Sequence, residues 1–414
     1  MKNKYIISIA FITWIFIQGI IILIFNNIEQ TPDAYGYMNN ALFCYENQCI
    51  APSIRECFGL YVQAPGYTNY LLIIYSLFHS FKPIMWLNLL MNIFIIYEIY
   101  WLGTHLYTKK IGLCASILFA LMVNNLFVPI QILSEQLFLF IGLSSFILVY
   151  KGSYRSIFIA SILFAVGFTI KPLIYAYFIP AIVLLVTRKC NWKKYIVILL
   201  PYIVILQLYG YTIQSNTGVK VTSSTTGGFC LCMSAVSPWA DYTVFQKGNF
   251  AYIENEHELN VVQKDSIRKE KAIKIILENP YKYITNCLKK PLLLFEADSW
   301  AIHWPFWDKL NNKLSEIENK NLSNYIRMTI KYLIKIPYSI VLLLFILSLF
   351  VKPNEIFSTK GIILLILLLG IGATCLFHVE CRYHYPYMFV LCIWAARLFE
   401  YIPPIITRFI QRNN

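Results

Sequence analysis

Residues 26–45 read NNIEQTPDAYGYMNNALFCY, and they follow directly on an apolar run over residues 5–25. The change of character at Asn26 sets how the rest of the chain is read. The run before it is longer than a signal-peptide core and is followed by Asn26, Asn27 and Glu29 instead of a small-residue cleavage site. It is therefore predicted to be an uncleaved first membrane span. The stretch after it presents Asp33 among tyrosines and asparagines just where the chain leaves the bilayer. Charge at that boundary is costly and marks a functional candidate.

Working outward, the same apolar character recurs along the chain. Of its 414 residues 58% are hydrophobic and 14% charged, against roughly 45–50% apolar in soluble domains. The predicted fold class is an all-α polytopic membrane protein. Further spans are read at 84–106, 111–128, 131–150, 156–170, 172–187, 194–212, 332–351, 361–378 and 385–402, which makes about ten at roughly 20 apolar residues each. Ten crossings put Lys2 and Lys4, Lys109 and Lys110, Lys151 and Arg155, the 188–194 cluster, Lys352 and Lys360, and Arg408 and Arg412 on one side. Short loops rich in Lys and Arg stay cytoplasmic, so both termini are predicted to be cytoplasmic.

Two long stretches then face outward, residues 26–83 and 213–331. The first ends in YTNYLLIIYSLFHSF, whose apolar run is short for a span and suits an interfacial helix. The second contains IRKEKAIKIILENPYKYITNCLKKPLLLF, which predicts a surface helix stopped near Pro280 and another after it. The predicted organisation is a membrane core over 1–212 with the first outer loop at 26–83, an outer segment over 213–331, and a three-span bundle over 332–414.

The net charge of +14 is used up in orienting loops, and no basic stripe interleaved with aromatics remains, so nucleic acid is excluded as a partner. Eleven cysteines show no CxxC pair with partner spacing. Cys44, Cys49 and Cys57 fall on the predicted oxidising side, where a Cys44–Cys49 disulfide is open to them and the sequence does not fix the pairing.

Sorting the ionisable residues by side is informative. Asp33 follows the first span, Glu135 sits in PIQILSEQLF between the third and fourth, Lys171 in GFTIKPL between the fifth and sixth, and Glu380 and Arg382 in FHVECRYHYPY between the ninth and tenth. All four places are outer turns. A turn glutamate or lysine alone is more often solvated or salt-bridged than catalytic, but this set predicts one polar cavity. Glu98, mid-span in NIFIIYEIYW, reads equally as an interhelical hydrogen bond or a functional group.

A carboxylate just above the bilayer with cations nearby suits transfer from a lipid phosphate. The cations stabilise the departing phosphate and the carboxylate takes the proton of an incoming hydroxyl. One acid is enough, because a phosphate leaving group needs little protonation. No Gly-rich phosphate loop or Asp-x-Asp pair is present on the cytoplasmic side, so the donor is predicted to be lipid-borne. Asp33 and Glu135 with a histidine could hold a divalent cation, and metal dependence stays open. A flippase of lipid-linked sugars, which would show broken helices near the bilayer midplane, and a surface-polysaccharide polymerase or ligase are the alternatives. No broken helix is read from the sequence.

Five stretches, in order, carry a resemblance: TPDAYGYMNNAL after the first span, QAPGYTNYLLIIYSLF, ILSEQLFLFIGL, GFTIKPL, and HVECRYHYPYMFVLCIWAA before the last span. Together they resemble the polyprenyl-phosphate-sugar-dependent glycosyltransferases of the GT-C class (glycosyltransferase family 39), which include protein O-mannosyltransferases and the aminoarabinose transferase of lipid A. The second stretch is similar to the family's Pro-Gly-Tyr-Pro run, with Thr68 where the second proline is usual.

The resemblance implies that Asp33 is the general base, giving inversion at the sugar carbon, and that Arg382 with Lys171 binds the donor phosphate. It implies that Glu135, Glu380, Tyr383, Tyr35 and Tyr67 shape the cavity or orient the acceptor. The mannosyltransferase branch has a second acid after the aspartate, where this chain has Ala34, which points away from protein mannosylation. The small outer segment points to a bacterial inner-membrane enzyme. Its partners would be a polyprenyl-phosphate-linked sugar, membrane lipid, and a lipid, polysaccharide or other envelope acceptor.

Overall fold

The computed structural model describes residues 2–27, 29–302, 312, 313, 316 and 320–400. Arg408 and Arg412, the end of the last predicted span beyond residue 400, and 303–311, 314–315 and 317–319 of the predicted outer segment lie outside the described residues. Helices account for the ordered structure, and no strand forms among the described residues. They run in the order α1 (Lys2–Phe25), α2 (Pro32–Glu46), α3 (Pro65–Phe78), α4 (Pro83–Leu106), α5 (Lys109–Leu121), α6 (Val123–Phe127), α7 (Ser134–Lys151) and α8 (Tyr154–Ile170). There follow α9 (Tyr175–Thr187), α10 (Trp192–Thr217), α11 (Gly227–Val236), α12 (Val261–Glu278), α13 (Pro280–Leu294), α14 (Lys320–Val351), α15 (Ile362–Leu376) and α16 (Met388–Ala396). The protein is an all-α, multi-pass membrane protein.

Six of these helices are long and apolar enough to cross a bilayer, or seven if the bent pair α5 and α6 is one span. That is fewer than the ten read from hydropathy, because α8 and α9 are apolar but shorter and α16 is described over only nine residues. The 14 residues of α3 fall short of a span, and α12 and α13 divide at Pro280 as the periodicity predicts. All eleven cysteines are free thiols, Cys44 and Cys49 included.

The sequence reading missed one broken helix. The chain bends by 69° between Lys109–Leu121 and Val123–Ile130, because the backbone of Met122 is extended (ψ 124°) and two buried asparagines follow it. The Asn125 side chain donates to the Phe119 carbonyl, Gln18 and Asn92 donate to the Asn125 carbonyl, and Asn124 accepts from the amide of Ala301. The freed backbone groups are thus met inside the protein, as irregular backbone at membrane depth requires. The thirteen residues of α5 put the break about 20 Å along the helix from its Lys109 end.

Helix α7 is buried on nearly every face and packs against α4, α8 and α9, so it serves as the central post. It carries Glu135 in its first turn and Lys151 in its last, about 24 Å apart at 1.5 Å per residue. The molecule therefore has two chemically different ends. Around Lys151 gather Arg188, whose guanidinium lies 4.2 Å over the Tyr150 ring, and Lys194 over Tyr154. Lys360 and Arg397, both over Tyr107, close the same end, where Thr108 donates to Glu400. Glu98 accepts from Ser144 at 2.5 Å, the interhelical hydrogen bond of the two readings.

Candidate functional site: a carboxylate and arginine cluster at one end of the bundle

Local sequence dictates where each acid stands. In TPD, Thr31 caps α2 by accepting from the Ala34 amide at 3.2 Å, Pro32 starts the helix, and Asp33 falls in the first turn. Glu135 holds the equivalent place in α7. The unpaired amides and dipole of a helix start favour a carboxylate by roughly 0.3–1 kcal/mol each. Lys171 comes directly after the last turn of α8. Arg382 lies in the 3-10 segment Cys381–Tyr387, just past Glu380 in the turn that follows α15.

Packing brings these four places together. The turn after α15 is pinned from below. Lys290, fully buried on α13, donates to the Cys375 and Phe377 carbonyls at 3.0 and 2.8 Å, while Tyr283 and Ser234 donate to the Leu376 carbonyl. These are the orphan acceptors of a helix C-terminus. Helix α3 reaches α8 through Gly66: a Cβ there would stand 2.0 Å from Thr169 Oγ1 and 2.9 Å from its carbonyl carbon. The glycine lets APGYTNY close onto the turn that ends in Lys171.

The result is a connected ion-pair network. Arg382 Nη2 donates to Asp33, its Nε lies 2.7 Å from Glu380 and 3.7 Å from Glu135, and Lys171 holds Glu135 at 2.8 Å. Tyr383 lies beneath the cations, 5.3 Å from Lys171 and 5.5 Å from Arg382. Glu135 is buried with 3% of its side chain exposed, while Asp33 and Glu380 expose 33% and 39%. The network thus has a closed floor and an open rim.

Three carboxylates against two cations leave a formal excess of one negative charge. Burial alone would raise the Glu380 carboxyl, but the hydrogen bond from His378 and the charge of Arg382 outweigh it and hold the group down at about 2. His378, buried with its Nε2 3.3 Å from Glu380, is a member the sequence reading did not single out; its only signal was the spacing of two before Glu380.

Of the other predicted residues, Tyr67 is buried one layer back, its ring 5.0 Å from that of Tyr37. Tyr35 lies about 200° round α2 from Asp33 and is exposed, so the structure does not bring it to the cluster. Among the described residues no three His, Cys, Asp or Glu side chains form a metal-ligand group; Asp33, Glu135 and Glu380 converge on Arg382 instead.

No family model matches this sequence, and no curated protein matches it. Among solved structures the chain is similar to the Archaeoglobus fulgidus oligosaccharyltransferase in its apo form, at 10% identity and a TM-score of 0.49, covering 97% of this chain and 52% of that one. It is also similar to the archaeal oligosaccharyltransferase AglB from Archaeoglobus fulgidus in complex with an inhibitory peptide and a dolichol-phosphate, at 12% identity and a TM-score of 0.48, covering 100% and 52%. The chain spans about half the length of both. At that identity and fit, function has to be argued from the cluster itself.

Proposed function

We propose that the protein is a membrane glycosyltransferase of the GT-C kind that moves a sugar from a polyprenyl-phosphate donor to a hydroxyl of a lipid, polysaccharide or other envelope acceptor. The site end would face the outer side of a bacterial inner membrane, with both termini cytoplasmic. The single observation that carries this reading is the meeting of Asp33, Glu135, Lys171, Glu380 and Arg382, from four separate turns, in one half-open network.

In this reading Arg382 and Lys171 receive the donor phosphate. Arg382 is paired with Asp33 and Glu380 and Lys171 with Glu135, so an entering phosphate takes the place of one or more of these carboxylates on the cations. Asp33 then accepts the proton of the acceptor hydroxyl as that oxygen bonds to the sugar carbon. The bond from that carbon to the phosphate oxygen breaks on the opposite side, so the configuration inverts. The leaving phosphate keeps its electron pair, stabilised by Arg382 and Lys171. The proton on Asp33 passes to solvent at the open rim.

The test is transfer by the purified chain in liposomes, supplied with radiolabelled polyprenyl-phosphate sugars and extracted envelope acceptors. Asp33→Asn is expected to lower the rate by roughly 100- to 10,000-fold while leaving the fold intact, and undiminished transfer would remove Asp33 from its role. The break between α5 and α6 favours a second reading, a flippase. Its signature is movement of lipid-linked sugar between leaflets with no transfer. Against it, the break is closed by hydrogen bonds to Asn124 and Asn125 from Gln18, Asn92 and Ala301, which leaves no open polar gap for a substrate.

A further inference from the structure

The charged network accounts for a phosphate and a proton but not for the sugar ring that lies between them. Its open rim is bordered by a segment that contributes no charge to it. Val62 and Thr225 are joined by two hydrogen bonds, from the Val62 amide to Thr225 Oγ1 at 2.8 Å and from the Thr225 amide to the Val62 carbonyl. Gln63, next along, lies against Gly36, one turn of α2 beyond Asp33. The chain after Thr225 forms α11, whose Phe229 ring stands 5.1 Å from Tyr61 and 6.2 Å from Tyr242. Tyr242 exposes 60% of its surface.

This group is held rigid from behind. Phe229 stacks on Phe245 at 4.1 Å and 3°, and the Arg268 guanidinium lies about equally over both rings, at 5.5 and 5.4 Å. Arg268 is itself buried, paired with Glu256 and donating to the Leu60 carbonyl at 3.0 Å, beside Tyr61. Burial raises the phenols of Tyr61 and Tyr242, and Asp33 adds to the rise in both, with Glu380 adding to it in Tyr242. The two hydroxyls therefore stay protonated donors in the field of the network.

We propose that Tyr61 and Tyr242, braced by Phe229, form an aromatic wall beside the Asp33 and Arg382 network that holds a pyranose ring by its C–H face. Two fixed aromatic faces with phenolic donors at their edges, next to a charged cluster, are the surface on which a ring with one apolar face and equatorial hydroxyls is gripped and oriented. The inference rests on the transferase reading and adds to it the class of sugar and the residues that select it. It explains why an uncharged tyrosine in a loop far along the chain, with no local motif, comes within the electrostatic field of Asp33 and Glu380.

The experiment reads binding, not turnover, so that it stands apart from the Asp33→Asn assay. Saturation-transfer NMR is run on the full chain in nanodiscs with methyl β-D-glucopyranoside, methyl α-D-mannopyranoside, methyl β-D-galactopyranoside and methyl α-L-arabinopyranoside in turn. At least one glycoside should saturate, most strongly at the ring protons of one face. Tyr242→Ala and Tyr61→Ala should each weaken its binding by roughly 3- to 10-fold, whereas Trp239→Ala, an exposed ring of the same loop, should leave it unchanged. In transfer assays the same two variants should raise the KM of one substrate, and whether that is the donor or the acceptor tells which of them brings the ring. Equal saturation in wild type and both tyrosine variants, or none with any of the four glycosides, overturns the proposal even if transfer itself depends on Asp33.

Discussion

Arg382 and Arg397 lie fifteen residues apart on one C-terminal segment, both sequestered, and at opposite ends of the bundle. Arg397 is 1% exposed, pairs with Glu355 at 2.6 Å, and lies over the rings of Trp394 at 4.0 Å and Tyr107 at 5.3 Å. One charge meets one charge among aromatic walls. Arg382 is 12% exposed and meets three carboxylates, two of which reach the open rim. Burial of an arginine thus says little by itself. The number of acids around it, and whether they can be approached, separates a brace from a site.

Substitution of the two arginines should break the comparison most sharply. Arg382→Gln leaves three carboxylates without their shared cation and removes the group proposed to receive the phosphate, so transfer per folded molecule is expected to fall by roughly 100- to 1,000-fold, alongside a lowered thermal midpoint. Arg397→Gln leaves half-buried Glu355 with only Lys352, 3.9 Å away, as a counter-charge, which costs about 1–3 kcal/mol. A lowered thermal midpoint in detergent, with activity per folded molecule retained, is its expected signature. If Arg382→Gln also retains its activity per folded molecule, the site end is a brace as well.

A smaller effect is expected where the site end is assembled. Gly66→Ala sets a methyl group 2.0 Å from Thr169 Oγ1 and against its backbone, which forces α3 and the turn carrying Lys171 apart. A cost of about 1–3 kcal/mol follows, read as a thermal shift together with a raised donor KM. A thermal shift without any change in KM would show that Lys171 is not held by this contact.

Acid sharpens the comparison least. The Glu380 carboxyl goes from about 4.5 down to about 2 on folding. A depressed carboxyl stabilises the folded state fully above the unfolded value, and that contribution is lost as pH falls through the window from about 4.5 to about 2. The thermal midpoint should therefore drop across this window by a component that Glu380→Gln removes. A pH profile unaltered by that substitution would detach Glu380 from His378 and Arg382.

Much of this was legible in advance, for identifiable reasons. Helix positions followed from long apolar runs and from local punctuation such as Thr31-Pro32-Asp33 and Pro280. The candidate acids and bases followed from asking which charges lie between spans. The bend at Met122 was not legible, because its cause is a set of hydrogen bonds from Gln18, Asn92 and Ala301 to two asparagines that look unremarkable in an apolar run. Tyr242 gave no signal either, since its neighbours in space are Phe229 and, through it, Tyr61, both outside its own loop.

By itself the sequence determined that this chain lives in a membrane, where its helices start, and which residues bear charge at the boundary, since hydrophobicity, capping and helix dipoles act within a few residues of one another. Only the tertiary structure decided that Arg382 closes on Asp33, 349 positions away, that Glu135 is shared with Lys171, and that Arg397 is given a single acid. Such pairings depend on how closely helices approach and how their ends are pinned, as at Gly66 and Lys290, and no property of one segment contains that information.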